Sequence, residues 1–500
     1  MAAEEQEQTV VRQDKLTKVR SLGFEPYPAK FVRSHNLTEL RQNFTALMEK
    51  EVVVSVAGRI STIRSHGKTC FLDIVDQNSR IQIYLRQDHL PAVEWELAQL
   101  LDIADFIGVT GKLMLTRTQE MTVYAESITL LCKALHLPPV VKETVNADGE
   151  KVLHDAFSDK EARYRQRYLD LMVNPETREL FCIRAQMVAQ MRDFLNQRGF
   201  LEVETPVLQP IYGGANARPF ITHHHTLDMN LYLRIADELY LKRLIIGGYD
   251  QVYEISKDFR NEGVDRLHYP EFTQLELYQA YSDYNDMMAL FESLLLHLAD
   301  SVFGKREFDY KGKKFTIQPP FARISIPQAL SKKLGSDVMQ ASAEDLFQAC
   351  KKWELPVEAG WEWEEYIKEL VEGVLEPEIT EPTFILDYPQ KLSPLAKPKA
   401  DDPRLVERFE PFIMGVELGN AFSELNDPAL QRANFSVQEA NRGKGDVEAQ
   451  VMDEDFITAI EYGMPPTGGM GIGVDRLVMV FTDNPQIREV ILFPQLKPKE

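Results

Sequence analysis

Residues 251–281 can reconcile their polarity with a folded core in only one way. Glu254, Ser256 and Asp258 recur at every second position, and Arg260 and Glu262 continue the series, while Tyr253, Ile255 and Phe259 fill the alternate places. After a loop containing Gly263 and Pro270, the residues Phe272, Gln274, Glu276 and Tyr278 alternate with Leu275 and Leu277. A period of two is a strand, and two such runs joined by a loop predict an antiparallel hairpin with an apolar back and a polar front. A half-exposed hairpin needs a polar face in any case. Yet Arg260 among the acids of one face is costly to bury unless something uses it, so the front is a candidate site.

The chain around this hairpin reads as α+β. A long helix is expected over 178–198, stopped by Arg198-Gly199, and strands then alternate with helices to the C-terminus. That gives one large domain over 171–500, with a helical insertion at about 337–376 that holds Trp353, Trp361 and Trp363. Upstream, over 51–145, short alternating runs at 52–54, 70–75, 80–85, 106–111 and 128–131 are punctuated by Gly58, Gly67 and Asn78, with a helix at 90–101. Five strands and a helix suggest an OB-type β-barrel, a fold that often binds oligonucleotides. Residues 1–50 read as a helical extension, with Leu16, Val19 and Leu22 on one helix and an amphipathic run over 37–48. The polar, charged segment 146–170 reads as a linker.

Composition bounds the class. Hydrophobic residues make up 44% and charged ones 27%, which is globular, and no apolar run is long enough to cross a membrane. The acidic, polar N-terminus is not a leader peptide. Cys70, Cys132, Cys182 and Cys350 have no paired spacing and are expected to be buried free thiols in a reducing, cytoplasmic setting. A formal charge of −21 excludes a histone-like binder. It leaves RNA open, because phosphate contacts are local and screened within about 8 Å.

Three segments carry a family resemblance. Phe259-Arg260-Asn261-Glu262-Gly263 followed by His268-Tyr269-Pro270-Glu271-Phe272 resembles motif 2 of the class II aminoacyl-tRNA synthetases. Gly469-Met470-Gly471-Ile472-Gly473-Val474-Asp475-Arg476-Leu477 resembles motif 3, read here as a glycine-rich turn delivering an arginine to a helix start. The 178–198 helix running into Phe200 and Pro206 resembles motif 1, which builds that family's dimer interface. The resemblance implies an N-terminal OB-type barrel followed by a catalytic domain on an antiparallel sheet flanked by helices, not a Rossmann domain. It makes Arg260 and Arg476 catalytic, Arg260 on the α-phosphate of ATP and Arg476, with Phe272, around the adenine. Glu262, His268 and Gly473 join them at ATP. Glu410 and Glu417 match the paired acids that hold Mg2+, with phosphates completing its shell. One departure stands out: many lysine enzymes read Arg-His-Asn where this chain has Leu267-His268-Tyr269, and the loop arginine sits earlier, at Arg266.

Within the class, a barrel before the catalytic domain resembles the subgroup for aspartate, asparagine and lysine. Arg64, Phe71 and Gln82 fall where lysine enzymes place their anticodon contacts; on strand pattern alone Phe71 could instead fill the barrel core. Glu238 and Glu424 resemble the two acids of a lysine pocket, and Gly214, Glu276, Tyr278, Asn420 and Phe422 match further positions of it. Strict alternation would turn Glu417 away from Asn420 unless Gly419 marks a bulge. The resemblance therefore implies lysine activation by ATP, transfer to tRNA(Lys), and a homodimer through the motif 1 helix. An aspartate or asparagine enzyme, a protein-lysylating relative and a binding module that lost its chemistry are the alternatives. The run His223-His224-His225 invites a metal reading, but neighbours in an extended segment point apart.

Overall fold

A computed structural model describes residues 2–77, 79–139, 142–145, 151–154, 157–443, 445 and 448–498. The expected turn at Asn78 and parts of the expected linker, residues 146–150 and 155–156, lie outside them. The chain divides into two compact units, one of residues 1–159 and 168–173, the other of 160–167 and 174–500.

In the first unit five strands close a barrel: β1 (Val53–His66), β2 (Thr69–Val75), β3 (Arg80–Arg86), β4 (Phe106–Leu115) and β5 (Met121–Cys132), in the order β1-β2-β3-β5-β4. Alternation decides what enters the core: Val54, Val56, Leu72, Ile74, Ile83 and Val123 are wholly buried. β1 is far longer than the 52–54 run suggested. A register slip between Ile60 and Thr62 lets one strand bend around the barrel and pair with both β2 and β4. The expected 37–48 helix is two short ones, Leu37–Gln42 and Phe44–Glu49, broken at Asn43, whose ψ of 9° is not helical. Of the four thiols only Cys70 and Cys350 are buried; Cys132 is half-buried and Cys182 exposed, so the expectation of four buried cysteines is corrected.

The second unit is built on one mixed sheet. Its strands are β6 (Leu201–Glu202), β7 (Gln251–Phe259), β8 (Glu271–Ala280), β9 (Ala322–Ser325), β10 (Thr383–Leu386), β11 (Arg408–Ile413), β12 (Val416–Glu417), β13 (Gly419–Ser423) and β14 (Thr467–Gly473). They run in the order β9-β10-β11-β13-β14-β8-β7-β6, with β12 paired to β11, and only the two edge pairings are parallel. Helix α1 (Pro175–Asn196) opens on a proline at its first turn and ends before Gly199, whose φ of +87° suits a residue without a Cβ. Its buried stripe, Met187, Met191, Phe194 and Leu195, packs in one core with Tyr253, Leu275 and Leu277 from the back of the hairpin. The tryptophans of the insertion pack against a second apolar cluster built from Leu346, Tyr366 and Phe412.

The hairpin forms with Glu254 opposite Glu276, Ser256 opposite Gln274 and Asp258 opposite Phe272. Two expectations about it change. β7 ends at Phe259, so Arg260 and Glu262 lie beyond the strand rather than on its face, although the Arg260 N–H still reaches across the hairpin to the Pro270 carbonyl. The arginine buried among acids is Arg234, not Arg260: Arg234 is 4% exposed and pairs with Glu254 at 2.7 Å and Asp237 at 3.0 Å.

Candidate active site

β14 explains the glycines of the third motif. Gly469, Gly471 and Gly473 are not a turn, as the sequence suggested, but alternate positions of a strand, and none has a positive φ. Gly469 and Gly471 are glycine for space; a Cβ at Gly473 would come no closer than 3.7 Å to its nearest neighbour. A Cβ at Gly469 would sit 2.0 Å from Glu424 Oε1, and one at Gly471 would sit 2.6 Å from Gln274 Nε2. A strand face without side chains leaves a floor, and over it opens a cavity of ≈ 740 Å³. Every residue that the sequence nominated in this unit lines it: Gly214, Glu238, Arg260, Glu262, His268, Phe272, Glu276 and Tyr278 from one side, and Glu410, Glu417, Asn420, Phe422, Glu424, Gly473 and Arg476 from the other. Arg266 does not; its charge acts instead on Tyr310 and Lys311.

Glu417 and Asn420 share this cavity because the sheet slips register there. β11 pairs Phe412 with Glu417 but Phe409 with Ala421, one extra residue on the returning chain. Gly419 fits the slip, since a Cβ on it would lie 2.3 Å from the Gly471 carbonyl oxygen.

One end of the cavity is acidic. Glu238 opens helix α2 (Glu238–Ile246), and one turn later Lys242 reaches back to bond Glu238 Oε1 and to pair with Glu424 Oε2. Lys242 and Glu424 are fully buried. Burial pushes both glutamic acids above the usual carboxylate range, and Lys242 offsets only part of that rise. Burial likewise opposes the charge on Lys242, but the two acids outweigh it. Glu276 accepts a hydrogen bond from Gln274 at 2.8 Å and one from the Tyr278 hydroxyl at 3.4 Å, and burial raises it too.

The other end is rich in arginine. Arg260 donates to the Ile235 carbonyl at 3.3 Å and lies over the Phe272 ring, 5.1 Å from its centre. Arg476 enters from the first turn of helix α3 (Val474–Phe481). It donates to Glu417 Oε2 at 2.8 Å and meets His268 Nε2 at 3.1 Å. Its neighbour Asp475 faces inward, accepting from the Thr273 N–H at 2.6 Å and pairing with Arg184 of α1 at 2.6 Å, which ties the first helical turn to β8. Glu410 is bonded by Arg408 and accepts from the Tyr388 hydroxyl at 2.7 Å. Burial first, then Glu410, raises a third acid, Glu376, to about 8. Among the described residues no group of three or more His, Cys, Asp or Glu side chains could hold a metal alone. Two hard carboxylates suit a cation that brings other ligands with it.

The sequence alone offers Arg234 and Lys242 as nearby cations with which Glu238 and Glu424 could merely pair; Lys242 does pair with both acids, whereas Arg234 pairs with Asp237, Glu254 and Asp258. It does not single out Tyr388 or Arg408. Of the four, two had a local signal: Lys242 stands four residues after Glu238 on a helix, and Arg408 two before Glu410 on a strand. Tyr388 acquires its partner only through the fold, as Arg234 does all of its acids but Asp237, three residues on.

On the barrel, Phe71 points outward between the buried Cys70 and Leu72, so it does not fill the core. Its ring stacks on Tyr84 at 4.5 Å and 14°. Tyr84 stacks on Tyr124 at 5.4 Å, and Tyr124 on His89 at 4.3 Å. Arg64 stands opposite Phe71 on β1, held by the buried Asp73 at 3.2 Å, and Gln82 accepts from Thr122 at 3.0 Å. The three nominated residues thus sit on neighbouring strands of one outer face.

Comparison with known proteins agrees with both units. The model of tRNA synthetases class II (D, K and N) matches residues 159–497, and that of an OB-fold nucleic acid binding domain matches 54–131. A lysine--tRNA ligase of Carboxydothermus hydrogenoformans is 50% identical over 493 residues, 98% of each chain. One from Moorella thermoacetica is 50% identical over 491 residues, again 98% of each, and one from Roseiflexus sp. is 49% identical over 490, covering 97% of this chain and 98% of its own. With near-equal length, half of all positions identical and both family models in place, the chain belongs to the class II tRNA synthetases (D, K and N), within the lysine--tRNA ligase family.

Proposed function

We propose that this chain activates lysine with ATP, forming lysyl-adenylate and pyrophosphate, and then transfers lysine to the 3′ end of tRNA(Lys). Enzymes of this family depend on ATP, and the observation that carries the reading is the polarity of this cavity. Glu238, Glu276 and Glu424 converge at one end, and Arg260 and Arg476, with Glu410 and Glu417 beside the guanidinium groups, at the other, across a floor with no side chains. An amino acid with a cationic side chain is complementary to the first, and a triphosphate to the second.

Arg260 faces the α-phosphate and stabilises the charge that grows on its oxygens as the lysine carboxylate attacks. Phe272, already against Arg260, offers a face to adenine, with Arg476 on the opposite side; His268, Glu262 and Gly473 complete the nucleotide site. Glu410 and Glu417 fit Mg2+: their oxygens are of the hard kind, two of them leave coordination places for phosphates, and Glu417 repels the charge on Glu410 when no cation lies between them. When bound, the ion would neutralise charge on the phosphates. Gly214, Asn420, Phe422, Glu276 and Tyr278 shape the amino-acid end around Glu238 and Glu424.

Arg64, Phe71 and Gln82 hold the anticodon on the barrel, Phe71 by stacking on its one uncovered face. A homodimer through α1 is supported by exposed apolar residues that follow it in the chain: Leu201, Leu208, Ile221 and Leu227 are 45–64% exposed. No described helix is long and apolar enough to cross a membrane, and four free thiols suit the cytoplasm. Pyrophosphate exchange measured against each amino acid tests the whole reading: lysine should support it and aspartate and asparagine should not. Exchange with aspartate and none with lysine would overturn it.

A further inference from the structure

The oxygens of Glu238 and Glu424 are not equivalent. Glu238 Oε1 and Glu424 Oε2 both meet the Lys242 ammonium. Glu424 Oε1 is buried without a hydrogen-bond partner, lying over Gly469 on the cavity floor. No hydrogen bond or ion pair is made by Glu238 Oε2 among the described residues. Lys242 itself is 0% exposed, with the rings of Phe422 and Phe456 at 5.4 and 5.9 Å. A buried triad of this kind is a poor way to make a core stable, since taking three charges out of water costs more than packing apolar side chains there. Two carboxylates this close without a cation cannot both stay ionised.

Resting on the reading of this cavity end as the lysine site, we propose that Lys242 is the positioning residue of the amino-acid pocket. Its ammonium holds one oxygen of each glutamate and leaves the other two facing the cavity with at most one net negative charge. A substrate ammonium placed on those two oxygens completes an alternating square of two cations and two anions, electrically neutral once loaded. A neutral side chain of the same length would leave Glu424 Oε1 buried and unpaired, and an acidic one would meet two carboxylates. Lys242 touches no reacting atom; it acts through the acids.

The test is pyrophosphate exchange by the full chain with lysine and with norleucine, a neutral analogue. The variants are Lys242→Met, Lys242→Gln, Glu424→Gln, Glu238→Gln and the double variant Lys242→Met/Glu424→Gln. Removing the Lys242 charge should raise the KM for lysine at least tenfold, leave the KM for ATP within about twofold, and narrow the preference for lysine over norleucine. The double variant should be no worse than about twofold beyond Glu424→Gln, because Lys242 has nothing left to balance. If both glutamine variants of the acids kept the wild-type KM for lysine, the pocket itself would be misplaced and the inference would go with it. If they were impaired while both Lys242 variants were not, only the role of Lys242 would fall. Strictly multiplicative losses in the double variant, or collapse of the fold in both Lys242 variants, would make Lys242 a core ion-pair partner and overturn the proposal.

Discussion

At Gly469 one added carbon would lie 2.0 Å from Glu424 Oε1 and 2.5 Å from the Tyr278 ring. Glu424 cannot swing aside freely, because Lys242 holds its other oxygen and the residue is wholly buried. Gly469→Ala should therefore raise the KM for lysine by an order of magnitude or more, with ATP binding little changed. Normal lysine kinetics in this variant would show that the acid end has slack the structure does not display. Arg260 makes the contrasting case. It packs on Phe272 and donates to one carbonyl, so Arg260→Ala should leave the melting temperature nearly unaltered. It should still lower kcat for activation a hundredfold or more, since a donor to a developing anion is worth roughly 3 kcal/mol. Near-normal exchange would remove Arg260 from the chemistry. Both residues were legible in the sequence because each stands in a contiguous run, 259–263 and 469–477, that carries the family resemblance. The partners of Arg234 were not: the sequence offered it to Glu238 and Glu424, but its acids are Asp237, Glu254 and Asp258, from a helix start and a hairpin, and Thr205 adds a carbonyl. Linear spacing has no way to announce such a meeting.

Elements were read more surely than their ends. The hairpin of β7 and β8 has the faces that its alternation demands, yet the strand stops before Arg260, because the pattern of two continues past the last ladder bond. The glycines of β14 looked like a turn, since composition cannot separate a glycine needed for its φ from one needed for lack of volume. The barrel gives the clearest test at this scale. Tyr84, Tyr124 and His89 back Phe71 on one side only, so a base can stack on the other side, next to Arg64. Phe71→Ala should weaken tRNA charging by about 1–3 kcal/mol in KM for tRNA and leave lysine-dependent exchange alone. Loss of exchange, or of thermal stability, would return Phe71 to a structural role. The Arg234 cluster gives a second test, through pH. Burial first, then Asp258 and Glu254, pushes Asp237 from 3.8 to about 8 against the pull of Arg234. A folded pKa above the unfolded one means the native state holds the proton more tightly. The stability this brings is complete below 3.8 and is lost as pH rises through about 8. Asp237→Asn is neutral throughout and escapes that loss. Its stability relative to wild type should climb between pH 5 and 8, by at most about 1.4 kcal/mol per unit. A flat difference would mean that Asp237 ionises alike in both states.

For the molecule as a whole, the informative quantity is the charge. At −21 the chain repels a polyanion at long range, so its hold on RNA has to come from short contacts such as stacking and the few exposed guanidinium groups near Phe71. Arg64 and Arg80 flank the buried Asp73 at 3.2 and 3.4 Å, which offsets part of their charge. Only one or two phosphates then remain to be neutralised there, and each contributes a salt exponent of about 0.7–0.9. Raising monovalent salt from 50 to 200 mM should accordingly increase the KM for tRNA by about threefold to tenfold, far less than a basic RNA-binding protein would show with six or more phosphate contacts. The same change should hardly touch the KM for lysine, whose proposed partners Glu238 and Glu424 are shielded from the Debye atmosphere by burial. The two salt dependences are measured on one preparation, charging for the first and pyrophosphate exchange for the second. A thousandfold rise in the KM for tRNA would mean six or more phosphate contacts, and so an extended basic track rather than a few local ones. Equal slopes for tRNA and lysine would mean that the acid end of the cavity is open to bulk ions, and that its selectivity cannot rest on a shielded pair of carboxylates.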